Sequence, residues 1–391
     1  MVCLFFILKR YEVKEYRWIL YFIAAFIGFT LNFSTEDVDG FRHEKDFLES
    51  LNWNWNDFIV QLGVITLRST DTVDYYVTVV NFFVGRVFSN PSYVFAIHAV
   101  VFSFFYLKVL NLAYDDFSSK GWQRKLFLFG LIILFPITQL NALRYPIALW
   151  IWSFGALSYL KTNRIKYIGV SLFASLVHLG ITPASGILVI YHLIGKKTNL
   201  YFGLYLVSFL VSNIFSFDFL IALTEGLGEG IEGRATDYLS ENYSHRRATG
   251  ISNVNWYVNL RYSLLNSYVV LGVVYLYFSR KNIIQDEFQK HLIGFTMLYA
   301  AYINMVIDIP SFGGRQRFFL WIIVIFSLYR TISLNRVKSK WMSYLAILPI
   351  TLYGLVETRV MFYYLSFDSL FSNPIFALIK QSDISLDQIL R

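Results

Sequence analysis

The chain is a succession of apolar runs, each close to the thickness of a bilayer and separated from the next by a charged or polar link. A membrane-crossing helix needs about 20 apolar residues, with a range of roughly 17–25. Runs near 17–33, 92–112, 126–142, 145–161, 165–180, 182–195, 199–217, 260–279, 291–308, 317–334 and 341–357 approach that requirement. They predict about eleven membrane helices, plus or minus one. The pair between Ile165 and Gly195 is short for two crossings, so a broken or re-entrant hairpin is expected, with its break at Thr182-Pro183. Composition agrees: 56% hydrophobic and 15% charged residues make 391 residues too apolar for a soluble protein. The fold class is all-α, a polytopic integral membrane protein.

Orientation follows from the basic links. Lys9, Arg10, Lys14 and Arg17 precede the first run, and Lys120, Arg124 and Lys125 follow the second. Then come Lys161, Arg164 and Lys166; Lys196 and Lys197; Arg280, Lys281 and Lys290; and Arg330, Arg336, Lys338 and Lys340. All six links fall on one side, which the positive-inside rule makes cytoplasmic. The net charge of +8 is therefore a topology signal, and no nucleic-acid partner is expected. Cys3 is the single cysteine, so neither an intrachain disulfide nor a cysteine metal site is available. Met1–Leu8 is apolar and Lys9-Arg10 follows, the reverse of a signal peptide's charge order, so the N-terminus is expected to be retained.

The chain reads as a single transmembrane domain, 1–391, with two long outer segments, 34–91 and 218–259. In the first, Leu48, Leu51, Trp55, Phe58, Ile59 and Leu62 recur at helical spacing and predict an amphipathic interfacial helix. Ser69–Asp74 predicts the cap of another helix through Val87. The second segment spaces glycines among acids from Leu223 to Arg234, without an apolar period, and predicts a mobile loop or lid.

Against this background, ionisable residues recur at one membrane depth. Pro146 marks a helix start, because proline's missing N–H is no loss in a first turn, and Arg144 stands just before it. An arginine at a helix N-terminus forms a site for an anion such as phosphate; the plain alternative is an arginine snorkelling to the headgroups. His178 ends the run before Thr182-Pro183, where Thr182 is a candidate cap for the next helix. Asp308 closes a run, and Gly313-Gly314 leads into Arg315 and Arg317. Asp37 and Asp39 follow the first run, with the spacing of a metal-binding acid pair that is also common in ordinary loops. Arg246-Arg247 beside His245 is either a solvated patch or a phosphate contact from the mobile loop. Several arginines, outward helix N-termini, one imidazole and nearby carboxylates suit a diphosphate-bearing substrate and a hydroxyl that must lose a proton. Such chemistry is glycosyl transfer from a polyprenyl diphosphate carrier.

Asn141-Ala-Leu-Arg144-Tyr-Pro-Ile-Ala148, Ser175-Leu-Val-His178, Asp39-Gly-Phe41-Arg42 and Gly314-Arg315-Gln-Arg317-Phe318-Phe319 resemble the EpsG family of exopolysaccharide polymerases, which is similar to the Wzy-type O-antigen polymerases. The resemblance implies a GT-C-like, inverting, metal-independent glycosyltransferase without a cofactor. Such an enzyme joins undecaprenyl-diphosphate-linked oligosaccharide units on the outer face of a bacterial inner membrane, with a chain-length regulator as a candidate partner besides the lipid bilayer. It implies that Arg144, Arg315 and Arg317 grip diphosphate and that His178 lies near the acceptor hydroxyl. Asp39 is the rival base, and Arg42, Arg246 and Arg247 are further substrate contacts. Two positions depart from the family pattern, Tyr145 where glutamine is common and Phe41 where tyrosine is common. The rival functions are a flippase of lipid-linked sugars and a membrane acyltransferase. Transporters place their binding groups near the midplane, whereas these ionisable residues gather at one end.

Overall fold

A computed structural model describes residues 2–11, 13, 15–33, 39–67, 75–115, 121–211, 249, 254–282, 286–309, 312–334, 341–379, 382 and 384–390. Helices α1 (Val2–Arg10) and α2 (Tyr16–Phe29) open the chain, and α3 (Asp39–Ser50), α4 (Trp55–Leu67) and α5 (Tyr75–Gly85) lie within the segment 34–91. Then follow α6 (Ser92–Asp115), α7 (Trp122–Ile133), α8 (Arg144–Thr162), α9 (Lys166–Val177), α10 (Thr182–Ile194) and α11 (Thr198–Val211). Later in the chain come α12 (Trp256–Ser279), α13 (Glu287–Val306), α14 (Phe312–Leu334) and α15 (Trp341–Tyr364), followed among the described residues by three short helices. Among the described residues, four stretches are long and apolar enough to cross a membrane: Ser92–Tyr114, Trp122–Ala142, Trp256–Ser279 and Trp341–Tyr364. Shorter apolar helices accompany them, and within its described residues each predicted run contains a helix. Among the described residues there is no strand, only the isolated bridges Leu31–Leu365 and Ser366–Ser385. The protein is all-α and polytopic.

Helix α8 is the axis of the bundle. From Tyr145 to Leu160 every residue except Phe154 is buried, and a helix enclosed on all sides belongs at the centre of a packed protein. Trp150 meets Tyr106 of α6 edge-on at 4.8 Å, while Trp152 meets Phe319 of α14 at 4.6 Å and Tyr299 of α13 at 5.6 Å. On the α9 side the approach is closer. A Cβ on Gly155 would lie 2.4 Å from Ser171 Oγ and 2.8 Å from its backbone N, so glycine is what allows these two helices to touch.

Three expectations need correction. The run 126–142 is not one helix: α7 stops at Ile133, and after Pro136, extended at ψ 166°, a 3-10 segment covers Ile137–Ala142. Proline removes a helical hydrogen bond and clashes with the preceding turn. The hairpin breaks earlier than Thr182-Pro183, at His178, whose extended backbone (φ −151°, ψ 111°) ends α9. Thr182 does not cap α10 but belongs to it, its hydroxyl donating to the carbonyl of Leu179 at 2.7 Å. The amphipathic helix across Leu48–Leu62 is two helices, because the Asn54 side chain accepts from the N–H of Asn56 and Asp57 and starts α4 anew. Ser69–Asp74, Asp37 and nearly all of the predicted 218–259 loop, including Arg246 and Arg247, lie outside the described residues.

Candidate functional site

The site is built where three interruptions of helix meet. The first is the entry to α8. After the 3-10 segment, Leu143 turns the chain at φ +30°, ψ −69°, and Arg144 is the first helical residue. Leucine at positive φ is a strained arrangement, of the order of 1–3 kcal/mol, and such strain concentrates at functional positions. Here it falls on the residue immediately before Arg144. Leu143 has no side chain with which to cap α8, so no side-chain hydrogen bond closes that helix end.

The second interruption is His178 to Ile181, and the third is the entry to α14. Tyr145 fastens all three. Its hydroxyl donates to the Arg315 carbonyl at 2.5 Å, and its ring meets the His178 imidazole edge-on at 5.8 Å. Gln316 then closes the circle, donating from Nε2 to the Gly180 carbonyl at 2.6 Å while its Oε1 accepts from Tyr299 at 3.2 Å. A Cβ on Gly180 would stand 3.0 Å from His178 Nε2, so the small residue leaves room for the imidazole. His178 is buried, while Arg144, Arg315 and Arg317 are each partly exposed. Arg144, His178 and Arg315 are thus brought to one end of the bundle, the end that the charge pattern assigns to the outside.

Asp39 reaches the same end through the backbone. The Gly40 N–H donates to Asn141 Oδ1 at 2.8 Å, and Asn141 Nδ2 reaches the Tyr364 hydroxyl at 3.4 Å. Asp39 itself pairs with Arg42 at 3.5 Å, both side chains being more than half exposed. An exposed pair of that kind contributes little to stability, so both groups remain able to meet a ligand.

One group in this region is absent from the sequence-based expectations. Glu357 of α15 accepts from Gln139 Nε2 at 2.5 Å and from Arg261 Nη1 of α12 at 3.0 Å. Arg261 also lies 4.7 Å from the Tyr262 ring centroid and 5.2 Å from that of Tyr353. Both charges are almost wholly buried, at 5% and 2% side-chain exposure. The signal was present, since ionisable residues inside apolar runs are rare and costly. The 3-10 segment before Arg144 is therefore held at Gln139 by Glu357 and at Asn141 by Gly40 and Tyr364.

Gly313 sets the approach of Arg315 and Gln316. A Cβ there would fall 2.2 Å from the Val306 carbonyl oxygen and 2.5 Å from that of Ile307, both backbone atoms at the end of α13. Gly313→Ala is expected to lower stability by about 1–3 kcal/mol, read as a drop in the thermal-unfolding midpoint of the purified protein. Gly186→Ala, with open space at its Cβ, is expected to leave the midpoint unchanged or raise it. Equal midpoints for the two variants would show that the α13–α14 turn yields freely.

Chemically, this end of the bundle offers several guanidinium groups, an imidazole, a phenol and a carboxylate. That set can hold a polyanion and accept a proton. No curated protein matches the chain, and no solved structure does. The EpsG family model matches residues 15–369, nearly the whole chain, and the protein belongs to the EpsG family.

Proposed function

We propose that the protein is a polysaccharide repeat-unit polymerase acting at the outer face of the bacterial inner membrane. Membership of the EpsG family supports a polysaccharide polymerase-type function, and the apolar helices support a membrane location. The observation that carries the finer reading is the junction at Tyr145, which ties Arg315 and His178 to the residue next to Arg144. In this reading a sugar hydroxyl of one lipid-linked repeat unit attacks the anomeric carbon of a glycan on undecaprenyl diphosphate, from the face opposite the leaving group. The new glycosidic bond forms as the anomeric carbon–oxygen bond to the diphosphate breaks, which inverts the centre. The hydroxyl proton passes to His178 or Asp39, and undecaprenyl diphosphate departs. Arg144, Arg315 and Arg317 hold the diphosphate and stabilise its growing charge, a role in which arginine forks need no metal ion. Arg42, Arg246 and Arg247 are further contacts to the incoming substrate.

The test is the length distribution and sidedness of lipid-linked glycans in cells lacking this chain. Single repeats accumulating on the outer face are expected. Single repeats trapped on the cytoplasmic face would replace the polymerase with a flippase, and unchanged chain lengths would favour an acyltransferase.

A further inference from the structure

At the end of the bundle opposite Arg144, four cations from three separate segments face one cleft. Lys196 and Lys197 come from the turn between α10 and α11, Arg280 from the end of α12, and Lys290 from the first turn of α13. The cleft measures about 500 Å³, with Leu200 and Ile293 among its apolar lining.

Its walls are fixed by the fold. Gly195 sits at φ +78°, which favours glycine, and its carbonyl accepts from the Tyr201 hydroxyl at 2.6 Å. That turn holds the two lysines in place. Arg280 is anchored as well: its guanidinium lies 3.6 Å from the Tyr277 ring centroid, donates to the Tyr277 carbonyl at 2.6 Å and donates to Asn199 Oδ1 at 3.0 Å. Tyr277 is in turn stacked on Phe202 at 3.6 Å.

The charges do not cancel. Glu287 accepts from both Lys196 and Lys290, and those two hydrogen bonds hold its carboxyl down at about 2. One carboxylate against four cations leaves an excess of three positive charges around the cleft. Lys197 has no ion pair among the described residues. The nearby Asp286 is engaged elsewhere, with Arg330 at 2.7 Å.

We propose that this cleft is a second binding site, for the phosphate group of an anionic ligand. Preformed basic pockets between membrane helices on the cytoplasmic side suit phosphate-bearing head groups, and a fixed arginine fork flanked by lysines matches phosphate oxygens. Leu200, 53% exposed, and Leu193, 76% exposed one turn before Lys196, put apolar surface beside the cations. A phosphate carried on a lipid and a free phosphate compound share the chemistry that the cleft recognises. The site stands apart from the Arg144 cluster, and its test does not depend on polymer formation.

The experiment follows the thermal-unfolding midpoint of the purified full chain in neutral detergent as phosphatidylglycerol, phosphatidylcholine or inorganic diphosphate is added. Phosphatidylglycerol is expected to raise the midpoint where phosphatidylcholine does not, which assigns a lipid source; a rise with diphosphate as well assigns a soluble anion. For Lys197→Gln the half-saturating concentration is expected to rise about fivefold, and further for Lys197→Gln/Lys290→Gln. Lys197 is exposed and makes no side-chain hydrogen bond or ion pair among the described residues, so its variant folds even if the double variant does not. Lys166→Gln, in a basic link outside the cleft, should respond as wild type. No response to either anion, an unchanged response in Lys197→Gln, or an equal loss in Lys166→Gln would overturn the proposal.

Discussion

Cells carrying Arg144→Ala in place of the wild-type chain are expected to accumulate single lipid-linked repeats and to make no long polymer, although the protein inserts normally. The expectation of normal insertion comes from packing. Arg144 is partly exposed at the very start of α8, while the helix is anchored by the buried residues from Tyr145 onwards. Removing the guanidinium therefore takes little from the core. The expectation of lost polymer comes from charge. Deleting one preorganised donor aimed at charge that develops in a transition state typically costs about 10²–10³-fold in rate, and chain length collapses when elongation slows that far. Arg144→Lys keeps a point charge but loses the planar fork, so it should give chains of intermediate length. The measurement is the glycan ladder alongside the amount of protein in the membrane. Full-length chains from Arg144→Ala, at wild-type protein level, would take Arg144 out of the site and remove the reason for placing the diphosphate there.

Much of this architecture is legible in the sequence because the bilayer imposes one length on every crossing. The runs 260–279 and 341–357 are contained in α12 and α15, and those near 145–161 and 317–334 in α8 and α14. Two prolines mark helix entries for the same physical reason: Pro146 is the third residue of α8 and Pro183 the second of α10. Pro136 carries an equally clear signal, but apolar residues surround it and the run reads as continuous until the backbone is seen to break. Partners are another matter. A single sequence shows that Tyr145 and Arg315 are polar residues near helix ends, but not that one hydroxyl bridges 170 positions to the other's carbonyl. Tyr145 reads as a departure from the family pattern, yet it is the side chain on which the junction turns. Arg246 and Arg247 stay as sequence-based proposals, since both lie outside the described residues.

The buried pair behind the site yields the second large effect. Glu357→Leu is expected to destabilise the protein by about 3–5 kcal/mol, because it strands the Arg261 charge where side-chain exposure is only 5%. Arg261→Met should be comparably harmful for the mirror-image reason, leaving the buried carboxylate with the Gln139 amide, at 2.5 Å, in place of a full countercharge. The double variant Arg261→Met/Glu357→Leu is expected to recover most of the loss, since replacing both charges with apolar groups removes the desolvation cost along with the attraction. Unfolding of the purified proteins in detergent measures all three. Function should not recover with stability. Glu357 also holds Gln139, and with Asn141 that residue holds the 3-10 segment from which the strained Leu143 presents Arg144. A double variant as stable as wild type should therefore still make short glycans. Full-length polymer from it would reduce the pair to a structural one, whereas short glycans from a stable protein would place the positioning of Arg144 in the contact between Gln139 and Glu357.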